Sequence, residues 1–262
     1  DAIDKRHEMI AQTRDRLSVD GSLAKAMNNH IYYGLHRNEK GSWIFREWAP
    51  NATKIYIIGE FNNWKRTEAY ALRPIGGGNW EIELPSMFLD HGTLYKLYIE
   101  WKGGGAERLP AYLTRAVQDP VTKTFCAQVW DPATKYEWKN AAPGKRPHPL
   151  IYECHIGMAA EEEKVGTFEE FRLNVLPKVA ELGYDTLQIM ALQEHPYYGS
   201  FGYQVANFYA LSSRFGTPEE FKALVDDAHG MGIAVVMDIV HSHSVDNEAE
   251  GLGLFDGTKT LY

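Results

Sequence analysis

Residues 233–258 read IAVVMDIVHSHSVDNEAEGLGLFDGT, an apolar run that passes into a polar loop rich in histidine. The sequence places Asp238, His241 and His243 at or just beyond the end of the apolar run. In parallel β/α barrels, catalytic and binding residues follow the C-terminal ends of the strands. The stretch therefore predicts a barrel strand that delivers an aspartate and two histidines to a functional site.

Two similar apolar runs precede this strand. LIYECHIG at 150–157 and DTLQIM at 185–190 are short, almost continuously apolar and without the alternation of a half-solvated strand. Strands of this kind are typical of parallel sheets that are covered on both faces. We therefore expect three parallel strands in the last part of the chain.

Helix signals lie between the predicted strands. TFEE at 167–170 and TPEE at 217–220 are capping boxes, each of which predicts the start of a helix. The first helix should be interrupted at Pro177 and end near Gly183, and the second should end near Gly232. Strand–helix alternation of this kind indicates βαβ units.

A closed barrel needs eight strands and about 250 residues. The sequence from 150 to 262 supplies three strands, so we expect it to be the N-terminal portion of an incomplete (β/α)8 barrel. An apolar strand with an unpaired edge is an aggregation hazard, and the chain begins with Asp1 rather than with methionine. Both features favour a segment of a longer protein.

The first half of the chain has a different pattern. Residues 33–135 contain short aromatic and β-branched runs separated by turn residues, which predicts an all-β, immunoglobulin-like sandwich. Residues 1–32 carry helical spacing and are expected to form a helical lead-in. The proline-rich residues 136–149 are interpreted as a linker. The predicted fold class is therefore multidomain: a β-sandwich followed by the first strands and helices of a TIM barrel.

Composition narrows the function classes. The net charge of −8 argues against a nucleic-acid or anionic-membrane partner, and no apolar run is long enough to span a bilayer. Cys126 and Cys154 lie in apolar segments, which favours reduced thiols and a cytoplasmic location. Neither a cofactor nor a metal is expected.

Five longer motifs carry a resemblance to a known family. They are REWAPNATKIYIIGEFNNW (46–64), YECHIG (152–157), the run from ALQEH to GMGI (191–233), MDIVHSHS (237–244) and GLGLFDGT (251–258). In content and order they resemble the glycogen (1,4-α-glucan) branching enzymes of the α-amylase superfamily. The resemblance covers residues 33–262. The HSHS pattern favours branching over debranching enzymes, whose corresponding segment usually carries an asparagine before the histidine.

The resemblance implies retaining chemistry on α-glucan. An aspartate attacks an α-1,4 linkage, a glutamate serves as acid and then base, and a 6-hydroxyl of another chain accepts the glycosyl group. In the family these carboxylates follow later strands, so we expect no catalytic residue within the 262 residues and no activity from this chain alone. Two alternatives remain: a non-catalytic glycogen-binding protein, and an isoamylase-like debranching enzyme or an amylase.

The resemblance also implies substrate contacts in the barrel portion. Asp238 and His243 are expected to order the glucose beside the cleaved bond, and Tyr203 is expected to stack on it. The further substrate candidates are Gln204 and His241. The competing interpretations are core packing for Tyr203, a structural role for Asp238 and a surface position for His243. A metal site that combines Glu194 and His195 with the two later histidines is a weaker alternative, because no metal-ligand spacing is present.

In the sandwich, tryptophans near loops are candidate sugar platforms. Core packing is the usual fate of tryptophan in a small sandwich, and it is the competing interpretation at each position. The predicted glycan-binding residues of the sandwich are Trp48, Pro50, Trp64, Asn79 and Trp80.

Overall fold

The computed structural model describes residues 1–259. The chain begins with α1 (Ala2–Leu17), which starts at a capping box formed by Asp1 and Asp4, and it continues with the short helices α2 (Leu23–Ala26) and α3 (Asn29–Tyr32). No residue of α1 is buried. The predicted helical lead-in therefore corresponds to one long exposed helix and two single turns. None of the helices in the described range has both the length and the apolar character needed to cross a bilayer.

Nine antiparallel strands follow and form two sheets. The strands are β1 (Gly34–Arg37), β2 (Trp43–Trp48), β3 (Ala52–Gly59), β4 (Arg73–Gly76), β5 (Asn79–Leu84), β6 (Leu94–Trp101), β7 (Gly104–Arg108), β8 (Ala116–Gln118) and β9 (Phe125–Gln128). One sheet has the order β1-β2-β5-β4. The other has the order β3-β6-β9-β8, with β7 also paired to β6.

The core of the sandwich follows from alternation along the strands. In β2 the side chains of Trp43, Phe45 and Glu47 are buried, while the residues between them are partly exposed. Ile57 of β3 and Leu97 of β6 are fully buried in the same core. Full burial of an apolar side chain of this size contributes about 1.5–3 kcal/mol, so the repeated inward positions hold the two sheets together. The predicted sandwich is confirmed.

The segment between sandwich and barrel has no helix or strand, but it is held in place. Asp226, on the second barrel helix, is 1% exposed and accepts the hydroxyl of Tyr136 at 2.8 Å and the N–H of Asn140 at 2.8 Å. Burial alone would raise the pKa of Asp226, but the donors from Lys139, Tyr136 and Asn140 lower it to about 2. The linker is therefore fixed along this helix.

The remaining elements form the start of a barrel. In chain order they are β10 (Ile151–Cys154), α4 (Phe168–Glu170), α5 (Leu176–Glu181), β11 (Thr186–Ile189), β12 (Gln193–Glu194), β13 (Asn207–Leu211), α6 (Pro218–Gly230) and β14 (Ala234–Met237). Strands β10, β11 and β14 are parallel and adjacent in that order, whereas β12 and β13 form an antiparallel pair after β11. The predicted order of parallel strands is confirmed.

Both predicted capping boxes are present. The N–H of Glu170 donates to the hydroxyl oxygen of Thr167 at 3.2 Å, and Thr217 and Glu220 repeat the arrangement at 3.2 Å. The expected interruption at Pro177 takes the form of a π-helical turn over Phe171–Val175, immediately before α5. Proline has no N–H to continue the α-helical ladder, which accounts for the changed hydrogen-bond pattern there.

Candidate functional site

The C-terminal edge of the parallel sheet carries the first candidate site. The N–H of Asp238 donates to the carbonyl of Ile189 at 2.9 Å, which continues the pairing of β14 with β11 to the very end of the strand. The hydroxyl of Tyr203 then donates to Oδ2 of Asp238 at 2.8 Å. This hydrogen bond and partial burial raise the pKa of Tyr203 to about 12, so the phenol is a firm donor at neutral pH.

His243 joins the same cluster through the backbone. Its Nε2–H donates to the carbonyl oxygen of Tyr203 at 2.7 Å, and its Nδ1 lies 2.9 Å from the hydroxyl of Ser242. A carbonyl can only accept, so Nε2 carries the proton. Tyr203, Asp238 and His243 are thus brought together although 35 residues separate the first two. This set is called the edge cluster below.

The other two predicted barrel residues lie outside the edge cluster. Gln204 is exposed. His241 is also exposed and packs edge-on against Phe208, with ring centroids 5.8 Å apart. The single intervening residue between His241 and His243 turns the two rings toward different neighbours.

The edge cluster rests on a small apolar support. Tyr203 and Phe208 pack against the buried side chains of Ala191, Val205 and Val240. Core packing and a polar contact are therefore combined in Tyr203, since its ring is partly buried while its hydroxyl reaches Asp238. This arrangement presents one carboxylate, one phenol and one imidazole at the open edge of the sheet.

Glu194 and His195 have structural surroundings. Glu194 is 1% exposed and accepts from the N–H of Ser213 at 2.8 Å and from the hydroxyl of Ser212 at 3.0 Å, so it ties two loops together. His195 is fully buried, and its Nδ1 lies 2.9 Å from the carbonyl of Gln193. Within residues 1–259, no three His, Cys, Asp or Glu side chains are grouped so that they could hold a metal ion.

The structure corrects the position of one predicted platform in the sandwich. Trp80 is 7% exposed and belongs to the sandwich core, and its indole N–H donates to the carbonyl of Ala49 at 3.0 Å. In β5 the residues Trp80, Ile82 and Leu84 alternate inward, so strand register places the indole inside. Proximity to the glycine loop misled the sequence interpretation, because the register of a strand decides its face.

Trp48, Pro50 and Asn79 lie together at one edge of the sandwich. The indole N–H of Trp48 donates to the carbonyl of Gly77 at 3.0 Å, and a Cβ on Gly78 would approach Pro50 to 2.8 Å. Gly78 has φ +82, so a side chain there would be both strained and crowded. The glycine turn therefore allows the loop to pack closely on the Trp48 edge.

A cleft of about 600 Å³ opens beside Trp48 and is lined by residues of the lead-in, the sandwich and the barrel portion. Three tyrosines stack across it: Tyr33 on Tyr112 at 5.0 Å between ring centroids, and Tyr112 on Tyr209 at 4.8 Å. Tyr33 directly follows the helical lead-in, Tyr112 lies in a sandwich loop and Tyr209 lies in β13. His241 also lines this cleft, which is therefore formed by the lead-in, the sandwich and the barrel portion together.

The floor of the cleft contains a buried acid that sequence reasoning missed. Glu47 is fully buried and accepts from the N–H groups of Trp48 at 3.0 Å and Ala111 at 2.9 Å. Burial raises the pKa of Glu47 to about 7, against the opposite effect of these two donors. The alternation in WIFREW already assigns Glu47 to the buried face of β2 together with Trp43 and Phe45, and that signal could have identified it.

Trp64 lies at a second surface of the sandwich. It is 38% exposed and adopts a left-handed backbone with φ 59, directly after Asn63 with φ 53. The indole borders an open groove of about 800 Å³ on the five-stranded sheet. Polar side chains of the same groove include Lys96 and Glu107, which form an ion pair at 2.9 Å. An aromatic face beside polar side chains suits a polyhydroxylated ligand.

Comparison with known proteins identifies both halves. Residues 32–120 match the family model of carbohydrate-binding module 48, the isoamylase N-terminal domain, and residues 173–251 match that of the α-amylase catalytic domain. A putative α-amylase from Salmonella typhimurium has a similar structure, with a TM-score of 0.70 and 27% identity over 85% of this chain and 35% of that one. The pullulanase of Bacillus acidopullulyticus shares the fold, with a TM-score of 0.66 and 19% identity over 82% of this chain and 30% of that one. The chain belongs to the α-amylase superfamily.

Within that superfamily, the chain matches glucan branching enzymes over nearly its whole length. It is 42% identical to the 1,4-α-glucan-branching enzyme of Yarrowia lipolytica over 98% of this chain and 38% of that protein. The corresponding enzyme of Dictyostelium discoideum is 40% identical over 100% of this chain and 39% of that protein. The resemblance to branching enzymes is confirmed, and the chain spans somewhat more than a third of the length of these relatives.

Proposed function

We propose that this chain is the N-terminal part of a 1,4-α-glucan branching enzyme and that it supplies a glucan-binding sandwich and part of the sugar-binding edge of the catalytic barrel. The observation that carries the proposal is the edge cluster. Tyr203, Asp238 and His243 converge at the C-terminal end of parallel strands, where β/α barrels bind their substrates.

The edge cluster suits a glucose residue. The outer oxygen of the Asp238 carboxylate can accept from sugar hydroxyls, and the ring of Tyr203 offers an aromatic face to C–H groups. The imidazole of His243 is held by its Nε2–H on the carbonyl of Tyr203, and a sugar hydroxyl would reach Nδ1 by replacing the hydroxyl of Ser242. These groups bind and orient; none of them is proposed as nucleophile or acid.

The reaction itself needs two further carboxylates. Retaining glycosyl transfer requires a nucleophile and an acid–base residue on opposite sides of the scissile bond. By the resemblance these residues follow the fourth and fifth barrel strands, whereas the described part of the chain has three parallel strands. We therefore expect the purified chain neither to branch nor to hydrolyse amylose. The check is iodine staining together with α-1,6 linkage analysis, and linkage transfer by this chain alone would contradict the proposal.

Two surfaces of the sandwich are proposed to contact α-glucan. The Trp48 edge combines a half-buried indole with the exposed ring of Pro50, and it borders the cleft toward the barrel portion. The Trp64 groove lies on the five-stranded sheet and has charged and amide side chains along it.

Glycogen retardation on native gels tests both surfaces. Trp48→Ala and Trp64→Ala should each weaken binding by roughly tenfold, a loss of about 1.4 kcal/mol. Trp138→Ala is the matched control, because Trp138 is 54% exposed on the linker and stacks on His229 away from both surfaces. Unchanged retardation in both variants would show that neither surface of the sandwich contributes to glycogen binding. If the chain binds glycogen but the parent gene encodes no carboxylates after the fourth and fifth barrel strands, the result would instead favour a non-catalytic glycogen-binding protein.

The setting that we infer for this function is cytoplasmic, with α-glucan as partner and without nucleic acid or membrane. Cys126 and Cys154 are both free thiols, as in proteins of reducing compartments. The net charge of −8 disfavours anionic polymers and anionic lipid surfaces.

A further inference from the structure

The loop after β14 runs from the edge cluster into the sandwich. This segment, residues 239–258, is called the histidine loop here. It starts beside Asp238 and carries His241 and His243, both of which are exposed. Apart from the contact of His241 with Phe208 and the hydrogen bond of His243 to Tyr203, their position depends on how the loop is held on either side.

Near the edge cluster, two backbone N–H groups of the loop donate to the barrel portion. The N–H of Val240 donates to Oε1 of Gln193 at 2.9 Å, and the N–H of Val245 donates to the carbonyl of Val205 at 2.9 Å. Between these two points lie His241 and His243. The barrel portion thus holds the backbone of the histidine loop at Val240 and at Val245, on either side of the two histidines.

At its far end the loop is part of the sandwich. Leu252 is 5% exposed and Phe255 is fully buried, and both belong to the same apolar core as the inward residues of the sandwich strands. Gly257, with φ +81, passes so close to Trp101 that a Cβ would lie 2.3 Å from the indole. The loop therefore enters the sandwich as a packed element and does not lie loosely on its surface.

A buried carboxylate forms the polar half of this anchor. Asp256 is fully buried, and its Oδ2 accepts from the backbone N–H of Asn51 at 3.0 Å and from the side-chain amide at 2.9 Å. Its Oδ1 accepts the hydroxyl of Thr258 at 2.7 Å. Burial would raise the pKa of Asp256, but Thr258 and Asn51 hold it below its usual value. The ionised side chain is thereby stabilised where it joins two parts of the chain 205 residues apart.

Arg108 strengthens the same connection from the end of β7. The side chain is 3% exposed, and its Nη2 donates to Glu248 at 3.0 Å and to the carbonyl of Leu254 at 3.1 Å. Its guanidinium also lies over the ring of Trp101, 5.4 Å from the centroid. Three sandwich residues, Asn51, Trp101 and Arg108, thus hold the histidine loop between 248 and 257.

We propose that Asp256 is a positioning residue: through Asn51, the sandwich holds the far end of the histidine loop and so sets the orientation of His243 in the edge cluster. The sandwich then has a second role beside glucan binding, because it is part of the support of the barrel's sugar-binding edge. That the edge cluster binds sugar rests on the proposed function, whereas the positioning of His243 does not. The positioning itself can be measured without sugar.

The test uses the whole 262-residue chain, labelled with 15N. In the unchanged chain, His243 should show the ring signature of a fixed Nε2–H tautomer. Asp256→Ala should move this signal toward that of a freely exchanging imidazole and should speed amide exchange at Val245 roughly tenfold. Amides of the sandwich core, such as that of Ile57, should keep their exchange rates and report that the fold is intact.

A second variant and a control separate positioning from general damage. Asn51→Ala removes the side-chain amide that donates to Asp256 but keeps the bond from the backbone N–H, so it should shift the His243 signal in the same direction by a smaller amount. The double variant should add little to Asp256→Ala, because the two residues act as one contact. Asp246→Ala, an exposed aspartate in the same loop, should leave the His243 signal unchanged. If Asp256→Ala does not fold, Asp256→Asn, which places an amide against the same donors, takes its place beside Asn51→Ala. An unchanged His243 signal in the folded variants would overturn the proposal and show that the Val240 and Val245 bonds suffice.

Titration with a maltooligosaccharide distinguishes the two proposals. A His243 signal that responds to Asp256→Ala but not to the oligosaccharide supports positioning and argues against a sugar site at the edge cluster. A signal that responds to the oligosaccharide but not to Asp256→Ala argues the reverse.

Discussion

The sandwich and the barrel portion differ in how completely they cover their sheets. In the sandwich, each sheet covers the apolar face of the other, and Phe45, Ile57 and Leu97 are fully buried. In the barrel portion, helices cover one face of the parallel sheet, while Ile151 at one edge strand is 47% exposed and Val236 at the other is 46% exposed. The sandwich therefore has a closed core, to which Leu252 and Phe255 of the histidine loop also contribute, whereas the parallel sheet of the barrel portion leaves apolar residues exposed on both edge strands.

Each region buries an ionisable group whose neutral form is favoured by folding. Glu47 in the sandwich has a pKa raised to about 7 by burial, so folding there favours the protonated acid. His155 at the end of β10 has a pKa lowered by burial, so folding there favours the neutral base. Glu47 should therefore contribute a loss of stability as pH rises, and His155 a loss of stability as pH falls.

The largest expected effect comes from a residue that belongs to both regions. Phe255 lies in the histidine loop but is fully buried in the sandwich core. Phe255→Ala should lower the free energy of unfolding by about 3–5 kcal/mol, the usual cost of a large cavity. Urea denaturation followed by tryptophan fluorescence measures it, since Trp43 and Trp80 report on the sandwich.

Phe201→Ala is the control for this prediction. Phe201 is 37% exposed, so its truncation should cost far less. A loss in Phe255→Ala as small as that in the control would mean that the histidine loop does not stabilise the sandwich core.

A smaller effect is expected from Glu47. Its pKa of about 7, against an ordinary value of 4.5, means that stability is fully present below pH 4.5 and falls by about 3 kcal/mol as pH rises to 7 and above. Glu47→Gln should flatten this part of the pH profile. Chemical denaturation at a series of pH values from 4 to 8 checks it, with the exposed Glu83→Gln as control. A profile that keeps its slope in Glu47→Gln would locate the titrating group elsewhere.

The smallest effect is expected from His155. Its ring is surrounded edge-on by Tyr198, Phe201 and Phe215, and neither ring nitrogen has a hydrogen-bond partner within residues 1–259. The lowered pKa means that stability is present above the ordinary value of 6.5 and is lost as pH falls below it. His155→Phe should remove this loss and raise stability by about 1 kcal/mol, because two unsatisfied polar atoms are replaced by apolar ones.

Thermal unfolding at pH 5 and pH 8 tests the His155 prediction. The exposed His148→Phe serves as control and should leave the difference between the two pH values unchanged. A larger loss of stability at pH 5 in His155→Phe than in the unchanged chain would show that the imidazole makes a favourable contact there.

Much of the local structure could be predicted from the sequence. The capping boxes at Thr167 and Thr217 form as expected, and the interruption at Pro177 falls within one turn of its predicted place. These signals work because a cap or a proline acts on hydrogen bonds only a few residues away. The edge cluster could be anticipated in part for the same reason, since Asp238 follows its strand directly.

Other parts of the candidate site depended on distant neighbours. The sequence interpretation treated Trp48, Trp64 and Trp80 alike, and only the register of β5 placed Trp80 inside the core. His241 and His243 are two residues apart, yet the ring of one faces Phe208 and that of the other contacts the backbone of Tyr203. The spacing of two residues along the chain therefore does not predict which distant residue each side chain contacts.

The order of strands and helices, the parallel sheet and the residues at its C-terminal edge follow from the amino-acid sequence, because periodicity, caps and turns act within a few residues. The place of Glu47 at the floor of a cleft, and the end of the histidine loop in the sandwich core, depend on tertiary contacts. Those contacts join positions as far apart as Asn51 and Asp256, and burial and partner geometry at such separations arise only once the two domains pack.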